Sequence, residues 1–324
     1  MCTRILWNNN KLAVFAGRSM DWPISTEPKL TIFPRGQFRH GGRLGETEIV
    51  TERPTEWTSK YASLVTTIYG LGAADGINEC GLTVHMLYLT TTDFGERDTT
   101  RSGVHAGLWA QLLLDQAASV KEALALLQKI QPVMLEFQGM RTTVHLAIED
   151  TTGDSAIIEY VGGKQVVHHG KEFQIMTNDP PYDEQLAHLA QFDFTGATRE
   201  TPLPGNVSPK DRFIRAFYYL KALPEPKSER EAIASILAIA RNVSVPFGAP
   251  NKKPGSLYNT EYRTATDLTH GWYFFELTTA PNVIWTKLAN FSLDPGAPVM
   301  ALDPNDITLS GDVTGHFQKI PSPY

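Results

Sequence analysis

The sequence predicts an α+β fold in which two antiparallel β-sheets pack face to face and helices cover their outer surfaces. Strands and helices occur in blocks, in the order strands, helices, strands, helices, strands, which differs from the strand–helix alternation of a parallel sheet. The chain also lacks an internal repeat of fixed period, so a solenoid or a propeller is not indicated. We expect one domain over residues 2–324.

The first block is rich in strands. Residues 2–7 and 12–17 are apolar or alternating and flank an Asn-rich turn at 8–10, which predicts a β-hairpin. Further strands are predicted at 29–33, 62–69 and 81–89. The glycine-rich run 70–76 misses the spacing of a dinucleotide-binding loop by one residue and is interpreted as a turn.

Helices and strands then alternate in blocks to the end of the chain. Helical periodicity is present at 106–117 and 120–130, and Ser119 is the expected N-cap of the second helix. Strands are predicted at 142–149, 154–160, 164–169 and 172–177, helices at 183–191, 209–222 and 228–240, and final strands at 257–265, 270–278 and 282–287. The tail from Pro295 is rich in Pro and Asp and is expected to be irregular.

Composition excludes several classes of function. The chain has 324 residues, is 42% hydrophobic and carries a net charge of −6, without a Lys/Arg-rich run, so nucleic acid is not an expected partner. It also lacks an apolar run of about 18 residues, so a membrane is not expected either. Two cysteines that are far apart in sequence cannot stabilise a chain of this length by disulfide bonding, which favours a reducing compartment or a fold that is indifferent to redox conditions. As numbered, the protein is expected to be cytoplasmic, and periplasmic if a signal peptide originally preceded this sequence.

Cys2 is the leading candidate nucleophile. The sequence lacks the Gly-x-Ser-x-Gly, P-loop, His-Glu-x-x-His and Cys-x-x-Cys motifs. Methionine aminopeptidases remove Met before a small residue, and removal of Met1 would give Cys2 a thiol and a free α-amine. Both groups change protonation near neutral pH, as a nucleophile with its own base requires. The alternative is a cysteine that stands at position 2 without a function.

Two charged residues are expected beside Cys2. Arg18 and Asp21 end the second strand of the predicted hairpin, and that end returns to the start of the first strand. A guanidinium near sulfur favours the thiolate, and a carboxylate near the α-amine holds that amine in place. The alternative interpretation is a structural Arg18–Asp21 ion pair at the end of a strand.

Several short segments carry a resemblance to one family. They are Met-Cys-Thr-Arg at the N-terminus, Gly-Arg-Ser-Met-Asp-Trp at 17–22, Ala-Asp-Gly-Ile-Asn-Glu-Cys-Gly-Leu at 74–82, Met-Thr-Asn-Asp-Pro-Pro-Tyr at 176–182 and Asp-Arg-Phe-Ile-Arg-Ala at 211–216. In this order they resemble the choloylglycine hydrolase family, which contains bile salt hydrolases and penicillin V acylases. The C-terminal hundred residues agree with the family only in general character.

The resemblance implies a fold, a mechanism and a set of roles. Members are N-terminal nucleophile hydrolases with a four-layer αββα sandwich that cleave linear amides through a thioester, without a metal or cofactor. The implied catalytic residues are Cys2 as nucleophile, Arg18 beside the sulfur, Asp21 at the α-amine, Asn178 and Tyr88 at the oxyanion, and Arg212 in the charged cluster behind the site. The resemblance also implies a homo-oligomer, a tetramer or a dimer.

For two of these residues, the sequence alone leaves another interpretation open. Asn178 precedes Asp-Pro-Pro, and asparagine is common in such turns. Arg212 lies in a predicted helix, where a surface charge is an equally ordinary role.

The acyl group of the substrate is expected to lie in an apolar pocket near Cys2. The candidate lining residues are Met20, Trp22, Tyr61, Met86 and Phe137, with Tyr88 beside them, and the alternative for each is plain core packing. Bile salt hydrolases typically carry Asn where Tyr88 stands, and the segment between Asn178 and Arg212 is short. Both features resemble Gram-negative penicillin V acylases, which also accept N-acyl homoserine lactones.

The sequence therefore predicts a penicillin V acylase that also acts on N-acyl homoserine lactones, which implies quorum quenching. Two alternatives remain at this point. One is a conjugated bile salt hydrolase. The other is a non-catalytic, small-molecule-binding protein, which would follow if Met1 is retained.

Overall fold

In the part of the chain that the structure describes, twenty-four strands form most of the regular structure. The computed structural model describes residues 2–137, 139–249, 258–280 and 282–324. The first strands are β1 (Cys2–Trp7), β2 (Phe15–Trp22), β3 (Lys29–Phe33), β4 (Phe38–His40), β5 (Arg43–Leu44), β6 (Thr47–Glu48), β7 (Glu56–Thr58), β8 (Ser63–Ile68), β9 (Gly72–Asn78), β10 (Thr83–Tyr88), β11 (Ser102–His105) and β12 (Ile130–Val133). The others are β13 (Glu136–Phe137), β14 (Met140–Arg141), β15 (Val144–Glu149), β16 (Ser155–Val161), β17 (Lys164–His169), β18 (Ile175–Met176), β19 (Asn259–Asp267), β20 (Trp272–Leu277), β21 (Val283–Lys287), β22 (Val299–Leu302), β23 (Gly311–Asp312) and β24 (Gln318–Ile320).

Within these described ranges, five α-helices accompany the strands. They are α1 (Trp109–Gln116), α2 (Val120–Leu127), α3 (Tyr182–Leu189), α4 (Pro209–Ala222) and α5 (Glu229–Asn242), with 3₁₀ turns at Ala106–Leu108, Leu288–Asn290 and Thr314–His316. Serines cap three of the helices by accepting a main-chain hydrogen bond from the first turn: Ser119, as expected, at α2, Ser208 at α4 and Ser228 at α5. Among the described residues, we find no helix with the length and apolarity that a membrane crossing requires.

Two large sheets form the centre of the fold. The first sheet has the order β18-β1-β2-β19-β20-β21-β23, and the second has the order β17-β16-β15-β10-β9-β8-β3-β22-β24. All neighbours are antiparallel except β21 and β23. One apolar core includes residues of both sheets and of α4 and α5, while a second core lies between the second sheet and α1 and α2. The predicted α+β class with two face-to-face antiparallel sheets is therefore confirmed.

The N-terminal hairpin forms in the predicted place. In its register Cys2 lies opposite Met20, and Arg4 lies opposite Arg18. β19 pairs with the other edge of β2, so the hairpin is in the interior of the first sheet. This position explains why every residue of β1 is buried.

The glycine-rich run 70–76 is a turn only at its start, so the prediction for it was wrong. Gly70 has a positive φ of 64°, but β9 begins at Gly72 and lies between β8 and β10. A Cβ at Gly72 would lie 1.8 Å from the carbonyl oxygen of Gly107. The glycine therefore permits close backbone approach within a buried strand rather than a turn.

Other boundaries also differ from the predictions, and two segments show the physical reason. Residue 130, expected in a helix, begins β12, which pairs in parallel with β11. The tail after Pro295 is not irregular throughout, since β22 pairs with β3 and β24 pairs with β22 at the edge of the second sheet. Pairing with strands that are distant in sequence determines the structure of both segments. Local propensity carries no information about such pairing. Residue 257, the first of a predicted strand, lies outside the described residues.

Candidate active site

The alternation of side chains along β1 divides the site between two faces of the first sheet. Cys2 and Arg4 point towards the second sheet, where Arg4 contacts Glu149 of β15. Thr3 points the other way, towards Arg212 of α4. This follows from the period of two residues in a strand. The candidate nucleophile thus lies in the space between the two sheets.

Arg18 is in direct contact with the sulfur of Cys2. Its Nη2 donates to Cys2 Sγ at 3.3 Å, and its Nη1 donates to the carbonyl oxygens of Ala74 at 2.8 Å and Met86 at 3.1 Å. The guanidinium is fully buried, so these bonds fix its plane beside the sulfur. The sulfur atom of Met20, the register partner of Cys2, lies 3.7 Å from Cys2 Sγ.

The charge of Arg18 is maintained by the groups around it. Burial by itself would lower the pKa of this guanidinium. The nearby Cys2, Tyr262, Asp75 and Tyr273 outweigh burial and raise the pKa above its ordinary value. Arg18 is thus a permanent positive charge next to the sulfur, and such a charge stabilises a thiolate.

Asp21 and Arg212 form a buried ion pair on the helix-facing side. Arg212 Nη1 lies 3.2 Å from Asp21 Oδ2, and both side chains are fully buried. Thr260 donates to Asp21 Oδ1 at 2.5 Å, and the hydroxyl of Tyr258 donates to the Asp21 carbonyl at 2.6 Å. Asp21 is therefore paired with Arg212, which replaces the Arg18–Asp21 pair considered from the sequence.

Arg212 also holds the backbone of the candidate nucleophile. Its Nη1 donates to the carbonyl of Cys2 at 2.7 Å and to Thr3 Oγ1 at 2.5 Å. Burial lowers the pKa of Arg212, and Asp21 and Cys2 oppose that effect. A surface charge, the alternative left open by the sequence, is thus excluded for Arg212. Its removal would leave the carboxylate of Asp21 buried without this partner, which is strongly destabilising.

Asn178 connects the two halves of the site. Its Oδ1 accepts hydrogen bonds from the main-chain nitrogen of Cys2 and, at 3.1 Å, from Arg212 Nη2. Its Nδ2 donates to the carbonyl of Tyr88 at 2.6 Å. Two donors on one side and a carbonyl on the other fix the orientation of the amide. Because an amide nitrogen carries two hydrogens, Nδ2 keeps one beyond the bond to Tyr88.

The turn that carries Asn178 is held from two directions. Gln185 of α3 donates to the carbonyls of Asn178 at 2.6 Å and Pro180 at 2.7 Å, and it accepts from Thr177 at 2.6 Å. Asp179 accepts from the main chain and the hydroxyl of Thr90, at 3.0 and 2.9 Å, just beyond β10. Asn178 is therefore a turn residue, as one interpretation expected, and also part of the site.

An apolar pocket opens at Cys2. It contains about 800 Å³ of space not filled by atoms, part of which is open to solvent. Its walls include Met20, Trp22, Met86, Tyr88 and Phe137, five of the residues proposed from the sequence. The rings of Trp22 and Tyr88 meet edge to face at 5.5 Å. These walls suit a flat or extended apolar group.

Tyr61 is not among the described residues around this pocket, so the expectation for it was wrong. Its main-chain N–H donates to the carbonyl of Asp115, next to the outer helices. Burial, with Glu122, Cys80 and Glu79, raises the pKa of its phenol. The prediction failed because Tyr61 precedes the first residue of β8, whereas the pocket is lined by Ile68 and Tyr69 at the other end of that strand.

Sequence reasoning missed two groups of residues. The first is Gln185, which lies three residues after the buried Tyr182 and therefore on the same face of the helix. A polar residue on the apolar face of a predicted helix was the signal that could have identified it. Tyr69 and Leu135 also line the pocket, and Tyr69 contacts Phe137 at 6.0 Å between ring centroids. These two lie in loops, where apolar periodicity carries no information.

In the described part of the chain, one group of His, Asp and Glu side chains has its donor atoms close enough together to hold a metal ion. Glu229, Asp267 and His270 meet where the β19–β20 turn approaches the start of α5. His270 Nδ1 lies 2.9 Å from Asp267 and 3.4 Å from Glu229. The contacts are those of a local ion-pair cluster, and the residues around the Cys2 pocket do not include them.

Comparison with known proteins gives consistent matches over nearly the whole chain. The model of the linear amide C–N hydrolases, choloylglycine hydrolase family, matches residues 2–301. A penicillin V acylase of Pectobacterium atrosepticum is 35% identical over 346 aligned residues, covering 98% of this chain and 90% of that protein. A bile salt hydrolase/transferase of Clostridium perfringens is 25% identical over 307 residues, covering 85% of this chain and 88% of that protein.

A solved structure agrees with the fold. The penicillin V acylase from Agrobacterium tumefaciens superimposes with a TM-score of 0.88 at 36% identity, covering 99% of this chain and 98% of that one. The likeness confirms the four-layer αββα sandwich, with two sheets between helical layers.

Proposed function

Because the chain belongs to the choloylglycine hydrolase family and is a hydrolase of linear amide C–N bonds, we propose that it is a penicillin V acylase whose nucleophile is Cys2. The observation that carries the proposal is the 3.3 Å contact between Arg18 Nη2 and Cys2 Sγ at the base of an apolar pocket. The buried cation favours a thiolate at the place where the pocket delivers an acyl group.

The reaction begins with attack of the Cys2 sulfur on the amide carbonyl carbon. A C–S bond forms while the carbonyl π electrons move to oxygen. The oxyanion lies towards Asn178 Nδ2, which keeps one hydrogen beyond its bond to the Tyr88 carbonyl. The family resemblance assigns the second donor to Tyr88. Loss of one such donor typically lowers the rate by about 10²–10³-fold.

Collapse of the intermediate breaks the C–N bond. The α-amine of Cys2, or a water that it binds, takes the thiol proton when the sulfur attacks and passes it to the leaving amine, so a neutral amine departs and a thioester remains. A water then attacks the thioester, its proton passes to the same base, and the carboxylic acid is released with regeneration of the thiol. This scheme requires that Met1 is absent from the active protein.

The pocket supports an aryloxyacetyl group as the acyl part. Trp22 and Tyr88 form an aromatic corner, and Met20 and Met86 add flexible apolar surface close to Cys2. An extended acyl chain fits the same walls, so we propose N-acyl homoserine lactones as a second substrate class. Bile salt hydrolysis is the competing function, and the bile salt hydrolase/transferase relative is the observation that favours testing it.

A hydrolysis panel tests the proposal. Penicillin V, glycodeoxycholate and a long-chain N-acyl homoserine lactone are offered to the wild type, to Cys2→Ser and to Cys80→Ala, which removes the second of the two cysteines. We expect the wild type and Cys80→Ala to cleave penicillin V and the lactone but not the bile salt, and Cys2→Ser to be inactive.

Intact-mass measurement on the same samples reports whether Met1 is present. Full activity in Cys2→Ser, or in a protein that retains Met1, would contradict the mechanism. Turnover of the bile salt alone would contradict the substrate.

A further inference from the structure

The described wall of the Cys2 pocket contains a single residue of the Lys, Arg, His, Asp and Glu types. This residue is Arg141, and the other described members of the wall are apolar, aromatic, threonine or glycine residues and Cys2 itself. An apolar acyl group needs no charged partner, so the contacts proposed for it leave Arg141 without a role. In a pocket with apolar walls, the few polar groups are the ones that fix the orientation of a ligand.

Arg141 lies at the mouth of this pocket. Among the described wall residues it is the exposed one, whereas the others, including Cys2, are buried or half-buried. An apolar acyl group is most stable in the buried part of the pocket beside Cys2, because burial removes its surface from water. The leaving amine of the same amide then extends towards the mouth. The guanidinium of Arg141 therefore faces the amine part of the substrate.

A short hairpin carries Arg141 and is fixed to the pocket wall. β13 and β14 pair with each other, and the ring of Phe137 in β13 packs against the ring of Tyr69 at 6.0 Å between centroids. Directly after Arg141, the main-chain N–H of Thr142 donates to the carbonyl of Leu135 at 2.8 Å. These contacts join the base of the hairpin to the pocket and so place the cation at its rim.

The chain that follows Arg141 leads to the oxyanion side of the site. Val144, three residues later, is the register partner of Tyr88 across β15 and β10. The carbonyl of Tyr88 accepts the hydrogen bond from Asn178 Nδ2. Arg141 thus lies on the same wall as the candidate oxyanion donors, but nearer to solvent.

The guanidinium of Arg141 is available to a ligand. Its side chain makes no hydrogen bond or ion pair with the described residues, although Glu136 is its register partner in the hairpin. The protein carries a net charge of −6 and therefore repels anions at long range. Binding of an anionic substrate group thus requires a local cation, and Arg141 provides one where the leaving amine lies.

We propose that Arg141 is a specificity-determining residue that binds a carboxylate on the leaving amine. A guanidinium forms charge-assisted, often bidentate hydrogen bonds with a carboxylate. The preferred substrate class is therefore amides whose amine part is anionic, and penicillin V belongs to it. An N-acyl homoserine lactone is neutral, so its ring-opened N-acyl homoserine is the better substrate of the two. The inference rests on the proposed function in that the acyl group occupies the Cys2 pocket.

A matched acid and ester isolate this contact. Penicillin V and its methyl ester share the acyl group and the scissile amide and differ in the charge of the amine part. The ratio of their kcat/KM values is measured for the wild type, Arg141→Gln, Arg141→Lys and Glu136→Gln. Glu136→Gln is the control, since it removes the opposite charge from the same hairpin. Arg141 is exposed, and substitutions at such positions change stability little.

We expect the acid-to-ester ratio to fall about fivefold in Arg141→Gln, mainly through a higher KM for the acid, as for one charge-assisted contact at an exposed site. Arg141→Lys keeps the charge and should lose less, and Glu136→Gln should keep the ratio of the wild type. The wild-type ratio should also decrease as salt is added, because exposed charges are screened. An unchanged ratio in Arg141→Gln, or an equal loss in either other variant, would overturn the proposal.

The role of Arg141 and the proposed function fail separately. If the hydrolysis panel identifies the bile salt as the substrate, glycodeoxycholate and its methyl ester give the same acid-to-ester comparison. If no amide is cleaved, calorimetric binding of penicillin V and its methyl ester to Cys2→Ala gives the ratio from dissociation constants. The same ratio in Cys2→Ala with and without Arg141→Gln would refute the role of Arg141, whatever the panel shows.

Discussion

Gln185 offers the sharpest test of how the site is positioned. It is 1% exposed and makes three hydrogen bonds, at 2.6, 2.6 and 2.7 Å, that hold the turn carrying Asn178. Gln185→Met keeps the length and the unbranched shape of the side chain but removes its polar atoms. The change therefore removes one hydrogen bond from each of two carbonyls and from the Thr177 hydroxyl, which keeps its bond to the Pro209 carbonyl at 3.1 Å.

The magnitude follows from that count. Each lost hydrogen bond costs a net of about 1 kcal/mol, so we expect the free energy of unfolding to fall by about 3 kcal/mol. The catalytic effect comes from displacement of Asn178. It should be smaller than the loss of a whole oxyanion donor, and we expect kcat on penicillin V to fall by about 10- to 100-fold with little change in KM.

Gln111→Met is the matched control. Gln111 is also fully buried and makes three hydrogen bonds, to Ser63, Asp115 and Tyr324, away from the turn. Urea unfolding followed by tryptophan fluorescence gives the stability of both variants, and initial-rate kinetics give kcat and KM. We expect equal destabilisation but a loss of kcat in Gln185→Met alone. Equal kcat in the two variants would refute the positioning role of Gln185.

Three further predictions concern charge and packing. Arg18→Gln should raise the pH of half-maximal alkylation of Cys2 by about 1–3 units, since a contacting cation is removed; an unchanged alkylation profile would contradict the role of the guanidinium. Burial lowers the pKa of His105 to about 4, so the unfolded chain binds a proton that the folded one rejects, and stability should fall as the pH drops from about 6.5 to 4. His105→Gln should flatten that part of a urea-stability curve, and an equally steep curve would show that another group is responsible. Gly72→Ala should cost about 3 kcal/mol, because its Cβ would lie 1.8 Å from the carbonyl oxygen of Gly107; a melting temperature equal to that of the wild type would show that the two backbones separate easily.

The catalytic candidates could be predicted from the sequence because they lie in short segments. The turn of a hairpin determines the register of its two strands. The proximity of Cys2 and Arg18 could therefore be predicted from residues 2–21 alone. Asn178 and Arg212 were accessible only through the resemblance, since 176 residues separate Asn178 from Cys2 in sequence. Chain separation of this kind leaves no local pattern.

The pocket walls and the β9 strand show where the sequence is insufficient. Glycines such as Gly72 and Gly76 are typical of a turn, yet the segment that contains them is β9, a central strand that pairs with β8 on one edge and β10 on the other. Tyr61 and Tyr69 are similar aromatic residues at opposite ends of β8, and only Tyr69 reaches the pocket. Which end of a strand faces a ligand depends on packing with other elements, and periodicity reports the face of a strand but not its end.

The proximity of Met20 to the thiol has a consequence for oxidation. Met20 Sδ lies 3.7 Å from both Cys2 Sγ and Arg18 Nη2. Peroxide that enters the pocket would meet two sulfur atoms, and a sulfoxide on Met20 would place a strong acceptor oxygen beside the guanidinium. That oxygen would compete with the thiolate for Arg18, so inactivation by this route would leave Cys2 chemically intact and would be reversed by methionine sulfoxide reductases rather than by thiols.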